Sequence, residues 1–237
     1  MKIDISKKSC LAFLLICFII LSAIACAVDF RMEQTFCPQP LSAGKLDCIG
    51  DATKLMIVAH PDDETIWGGA HLLDGGYFVL CITNGKNKRR ADEFRRAVEK
   101  SGNTSLILDY PDKTNFVRND WNYSKEGIEA DIQLVLSAKH WDFVVTHNPD
   151  GEYGHIHHKM TNALTVQAFE QTHSAEKLLF FGDYYKASDI GKAGDTVIPD
   201  ETMREKLILC DMYSSQKRTM NKLSHMFPYE NWKEYDE

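Results

Sequence analysis

Five short apolar runs, at positions 55–59, 78–83, 105–109, 143–147 and 177–181, alternate with stretches whose apolar residues recur at helical spacing. Helices are predicted over 64–73, 88–101, 125–138, 158–172 and 201–211. In the second, Phe94, Ala97 and Val98 share one face, and in the third Ile128, Ile132, Val135 and Leu136 do, as a helical period requires. Gly75-Gly76 and Gly102 stand where helices should stop, since glycine takes the left-handed terminal conformation without a Cβ penalty. Strands and helices in alternation predict βαβ units: an α/β fold with a mostly parallel central sheet between two helical layers, in a single domain.

The amino terminus breaks this pattern. Lys2, Lys7 and Lys8 precede an uncharged apolar stretch over residues 10–27, the make-up of an export signal. Ala25-Cys26-Ala27 suits cleavage before Val28; Cys26 as a lipoprotein cysteine and an uncleaved membrane anchor are the alternatives. Each places the domain outside the cytosol (secreted, periplasmic or in the ER lumen) or on a membrane, with contact through residues 10–27. The expected organisation is a signal or anchor over 1–27, a lead segment over 28–53, and the α/β domain over 54–237. Cys37 and Cys48 flank a Pro- and Gly-containing part of the lead and make the expected disulfide pair, while Cys81 reads as a core residue. A composition of 44% hydrophobic and 26% charged residues excludes disorder, and a net charge of -7 argues against a nucleic-acid partner. The run Lys86, Lys88, Arg89 and Arg90 reads as a solvated helix start.

In such a sheet ligands bind beyond the carboxyl ends of the strands, so the polar residues after each apolar run carry the functional information. Those positions hold Ala59-His60-Pro61-Asp62-Asp63-Glu64, then Asn84-Gly85-Lys86, then Asp109 to Asp112, then His147 to His158. The first cluster puts an imidazole and three carboxylates in one strand-to-helix turn. One of Asp62 and Asp63 is enough to cap the helix, which leaves a histidine and a carboxylate for metal or acid–base work. The last cluster is rich in histidine. A catalytic zinc wants three N and O ligands and one open position, a set that His60, Asp63 and one histidine of the second loop would complete.

These two motifs, Ala59-His60-Pro61-Asp62-Asp63-Glu64 and Gly154-His155-Ile156-His157-His158, resemble those of the zinc-dependent PIG-L-like de-N-acetylases, with looser echoes in Arg90-Ala91-Asp92-Glu93 and Tyr213-Ser214-Ser215-Gln216. The resemblance covers about 54–218. It implies a Rossmann-like fold, an N-acetylated amino sugar or glycoconjugate as substrate, and Zn2+, with Fe2+ as the other metal to consider. It implies His60, Asp63 and His158 as metal ligands, Asp62 as general base and His155 as the auxiliary histidine that steadies the oxyanion, either neutral or as imidazolium. Arg90, Tyr153, Asn84 and Asp112 are the expected substrate contacts. Family members often carry Pro and Asp where this chain has Ile156 and His157. Support for His155 must then come from elsewhere, and His157 is expected to face outward. His147 is expected to hold its loop from below, Glu64 to be a first-turn residue favoured by the helix dipole, and His71, His140, His173 and His225 to have no site role.

Two other classes stand against this reading. A dinucleotide-binding module would need Gly-x-Gly-x-x-Gly after the first strand, where this chain has an acidic turn that repels pyrophosphate. An inactive sugar-binding relative would be expected to lack one of His60, Asp62, Asp63 or His158, and all four are present. A metal-dependent hydrolase of a different amide shares the same residues.

Overall fold

The computed structural model describes residues 7–36, 40–194 and 197–236. It divides into two units, Met1–Cys37 and Pro38–Glu237. In the first, a single helix α1 (Lys7–Phe36) runs without a break past position 27, and the phenylalanine, leucine and isoleucine side chains described along it, Phe13 and Leu14 among them, are exposed. Among the described residues no helix is long and apolar enough to cross a membrane. Cys37, and with it the expected disulfide, lies outside the described residues; Cys48 is exposed.

In the second unit a 3-10 helix over Ala43–Ile49 leads into β1 (Lys54–Val58), α2 (Asp63–Leu72), β2 (Tyr77–Thr83), α3 (Lys88–Lys100) and β3 (Thr104–Tyr110). A small hairpin follows, β4 (Lys113–Thr114) and β5 (Val117–Arg118), then α4 (Lys125–Leu136), β6 (Phe143–Thr146), a short α5 (Gly151–Gly154), α6 (Ile156–Thr172) and β7 (Leu178–Phe180). The chain closes with α7 (Asp200–Asp211), α8 (Lys217–Leu223) and β8 (Lys233–Glu234). The predicted strands and helices are all present, with ends displaced by a residue or two. The hairpin and β8 were not predicted, because two-residue strands carry no alternation to read.

The sheet order is β3-β2-β1-β6-β7-β8, parallel except for the last pair. This is a Rossmann-like fold. Successive side chains of a strand point to opposite faces, so Leu55 and Ile57 pack with the apolar stripes of α4 and α6, while Met56 and Val58 pack with those of α2 and α3. Both faces of β1 and β2 are buried, which is why those strands read as unbroken apolar runs. The lead segment joins this core: Leu41 and Ile49 are buried in it, and the Leu41 N–H donates to Asp131 Oδ1 at 2.8 Å. Strand order reverses between β1 and β6. The crevice beyond their carboxyl ends is the place where such a sheet receives a ligand, and both histidine-bearing motifs lie there.

Candidate metal centre

The corner after β1 is anchored from below, where the Ala59 carbonyl accepts from Thr83 N and Thr83 Oγ1 at 3.1 and 2.8 Å. Asp62 turns the corner at φ 137°, a conformation that a side-chain-bearing residue holds only when its surroundings enforce it. Its N–H donates to Glu64 Oε2 at 3.1 Å. Glu64 stands in the first turn of α2, as expected, but it is also fully buried and accepts hydrogen bonds from Thr65 Oγ1 and Tyr213 Oη. Burial pushes its carboxyl up to about 7. Asp62 occupies the helix N-cap position, yet its side chain makes no capping bond. That carboxylate is therefore free for other work, with Arg90 Nη2 3.4 Å from its Oδ1. Burial drives the Asp62 carboxyl well above the usual range against the pull of Arg90.

Neutral imidazole has one donor and one acceptor nitrogen, so each ring's partners fix its tautomer. The Nε2 of His147 accepts from Ala59 N–H at 3.0 Å, leaving the proton on Nδ1 facing the Glu152 carboxylate at 3.2 Å. The Nδ1 of His155 accepts from His157 N–H at 3.2 Å, which caps α6 and leaves the proton on Nε2. Burial holds the His155 ring down at about 2, so it is a neutral donor and the imidazolium form is set aside. Neither His147 nor His155 has a lone pair to spare for a metal.

His157 is not turned outward. It is fully buried, stacked on Trp121 with ring centres 4.1 Å apart, and its Nε2 lies 2.7 Å from the Asn119 carbonyl. A carbonyl only accepts, so Nε2 carries the proton and Nδ1 presents a lone pair to His60 Nε2 at 3.0 Å. Burial keeps the ring down at about 3. His60, held at about 3 by burial, then donates from Nε2 and turns the Nδ1 lone pair toward Asp63 Oδ2, 3.1 Å away.

His158 meets Asp63 from the other side. Glu152 engages its Nδ1, while its buried Nε2 makes no hydrogen bond, lying 3.3 Å from Asp63 Oδ1 but out of line. Two ring nitrogens and a carboxylate thus converge in a buried space that calls for positive charge. Without a metal that charge is a second proton on His158: burial lowers its pKa, but Asp63 and Glu152 outweigh this and raise it to about 10. Burial would raise Asp63, but the charge of His158 above all, with the His147, His158 and His60 rings packed against its oxygens, holds it well below the usual carboxylate range. His60, Asp63 and His158 suit a divalent cation in donor type and in charge. The hydrogen bond from a carboxylate to the far nitrogen of a metal-binding histidine is the usual means of orienting such a ring, and Glu152 occupies that position.

A cleft of about 210 Å³ opens over these groups. Arg90, Asp112, Tyr153 and His155 line it with His60, Asp62 and Asp63. Arg90 donates to the Pro61 carbonyl at 2.9 Å and lies 3.5 Å from Asp112, which is also paired with Arg118. Tyr153 is exposed at the cleft, its ring edge-on to His158. Asn84 sits apart, its amide donating to Thr83 Oγ1 at 2.7 Å, and it does not line the cleft. His71 pairs with Glu230 away from the cleft. No role was expected for Glu152, Arg118 or the Tyr213–Glu64 contact, and His157 was expected to face outward. Only Tyr213 had a signal, in the Tyr213-Ser214-Ser215-Gln216 echo.

Residues 55–169 match the PIG-L family model, described as GlcNAc-PI de-N-acetylase. The matched region holds both motifs, from β1 to α6. An uncharacterised protein of Acanthamoeba polyphaga mimivirus is similar to the chain, 36% identical over 130 residues that cover 48% of the chain and 56% of the relative. The chain spans little more than half the length of that relative.

Proposed function

Through residues 55–169 the chain belongs to the PIG-L family of de-N-acetylases and related hydrolases, and from that premise we propose that it removes the acetyl group of an N-acetylated amino sugar, free or within a glycoconjugate. The observation that carries the reading is the convergence of His60 Nδ1 and His158 Nε2 on Asp63. A divalent cation held by these three, with zinc favoured over Fe2+, would supply Lewis acidity and lower the pKa of water.

Asp62 is the base. Arg90 engages Oδ1, so the proton of the attacking water passes to Oδ2, and from there to the leaving amine. His155 donates from Nε2 to the amide oxygen as it gains negative charge, a contribution of about 3 kcal/mol for donors of this kind. Its Nδ1 is occupied by the His157 N–H, so the ring donates in one fixed tautomer. Arg90 and Asp112 offer charged hydrogen-bonding groups at the cleft wall to sugar hydroxyls, and Tyr153 offers an aromatic face. The uncharged run between Lys8 and Asp29 supports export or membrane attachment through the amino terminus.

The test is metal analysis of purified protein followed by acetate release from N-acetylglucosamine derivatives, with and without chelator. Chelator-sensitive release supports the reading, and full activity of metal-free protein contradicts it.

A further inference from the structure

His157 stands where the family resemblance leads one to expect an aspartate, and it is built into the centre more firmly than a neutral replacement would need. The ring is fully buried, stacked on Trp121, and bonded at both nitrogens: Nε2 to the Asn119 carbonyl at 2.7 Å and Nδ1 to His60 Nε2 at 3.0 Å. Asn119 is placed by the turn after the β4–β5 hairpin, where its N–H donates to the Asp112 carbonyl at 3.1 Å. A hydrogen-bond chain therefore runs from a backbone carbonyl of this loop, through His157, to His60.

We propose that His157 is a positioning residue for the metal: by accepting from His60 Nε2 it selects the His60 tautomer whose Nδ1 lone pair faces Asp63. The inference rests on the metal-dependent reading given under the proposed function. Without His157, His60 Nε2 is left beside Asp112 Oδ1 at 3.5 Å, an oxygen already paired with Arg118, and the proton of His60 is free to move to Nδ1, where the Asp63 carboxylate 3.1 Å away would hold it and block the ligand position. An outer partner that fixes a ligand histidine in this way is typically worth 10- to 100-fold in metal affinity.

The same three groups, His60 Nε2, His157 Nδ1 and Asp112 Oδ1, lie within metal-sharing distance of one another. They favour the hydrogen-bond chain over a second cation. Asp112 already faces two guanidinium groups, Arg90 at 3.5 Å and Arg118 closer still, so its charge is spent. A second ion would also require His60 to give up its last ring proton.

Two substitutions separate the ends of the ring. In His157→Asn the carboxamide oxygen falls near the place of Nδ1 and can accept from His60, while the bond to Asn119 is lost. In His157→Gln the amide nitrogen falls near Nε2 and keeps the Asn119 bond, while the acceptor for His60 is lost. Metal-stripped full-length wild type and both variants are titrated with Zn2+ against a chromophoric chelator, and thermal melts are recorded on the same samples.

The expected result is one equivalent of Zn2+ in the wild type, near-wild-type affinity in His157→Asn, and a loss of about 10- to 100-fold in His157→Gln despite its higher melting temperature of the two. Equal affinity in wild type and His157→Gln overturns the proposal, as does affinity that follows thermal stability rather than the His60 acceptor. A second tight equivalent in the wild type also overturns it, by assigning the three groups to a second ion. A wild type that binds no Zn2+ fails the metal-dependent reading itself, which the variants alone cannot do. Nitrogen NMR of histidine-labelled metal-free wild type, which no folding defect can confuse, should show His60 protonated at Nε2; protonation at Nδ1 overturns the proposal.

Discussion

Asp62 and Asp63 are neighbours in the chain and both are almost wholly buried, yet their carboxyls are driven in opposite directions. Burial drives Asp62 upward, whereas around Asp63 the histidines outweigh burial, His158 most strongly. Paired carboxylates split in this way are the mark of divided acid–base labour. Asp62→Ala is therefore expected to lower kcat by about 100- to 10,000-fold, the usual worth of a general base, while leaving metal content unchanged. Metal analysis and acetate release on one preparation check both halves. Loss of metal from that variant would mean the two aspartates have exchanged roles.

Glu152 holds His158 through Nδ1 and His147 through its own Nδ1. Glu152→Gln keeps the size but removes the charge, so the metal should dissociate about 10- to 100-fold more readily. Competition with a chelator measures this, and unchanged affinity would leave Glu152 with only a packing role.

The donors around Glu64 fix the Asp62 backbone, since Glu64 Oε2 takes the Asp62 N–H and Tyr213 Oη holds the other oxygen. Tyr213→Phe leaves a buried carboxylate short of one donor and is expected to cost about 1–3 kcal/mol of stability. It should also lower kcat with little change in metal affinity. Unfolding curves and metal titration separate these effects, and a loss of metal equal to the loss of kcat would contradict them.

Lys206 and Glu230 form a buried pair under α2, with Nζ 2.6 Å from Oε1 and further bonds to the Ile66 and Phe227 carbonyls. Gly69 makes room for it, because a Cβ there would lie 3.0 Å from the Lys206 side chain. Burial alone would raise Glu230, but Lys206 and then His71 bring its carboxyl down to about 2 from an ordinary 4.5. A folded pKa below the unfolded one means that ionised Glu230 stabilises fully above the unfolded value, and that this is lost as the pH falls through the folded value. Glu230→Gln strands the lysine, at a cost of about 3–5 kcal/mol at neutral pH. The gap between wild-type and variant melting temperatures should be widest at neutral pH and close as acid protonates Glu230. A constant gap would place the effect elsewhere.

The sheet and its helices were legible because β1, β2 and β6 are buried on both faces and declare themselves as apolar runs. The two motifs were legible because the corner after β1 and the loop after β6 each gather their groups within a few residues. What escaped was long-range pairing. Glu64 meets Tyr213 across 149 positions, and Lys206 meets Glu230 from a helix to the tail. His157 looked like the outward member of a histidine pair, since no local pattern announces that Trp121 and Asn119 will close over it. Glu152, six residues before His158, had no expected role, because nothing local shows that the kink at α5 turns it inward.

Titration of metal-stripped protein with Zn2+ near neutral pH, in buffers of differing protonation enthalpy, reads whether His60, Asp63 and His158 hold the cation on which amide cleavage depends. The expected result is one tight equivalent per chain, a proton released from His158 as the cation displaces it, and acetate release restored in step with occupancy. Wild-type protein that takes up no metal, or that cleaves the amide equally well without it, would contradict it.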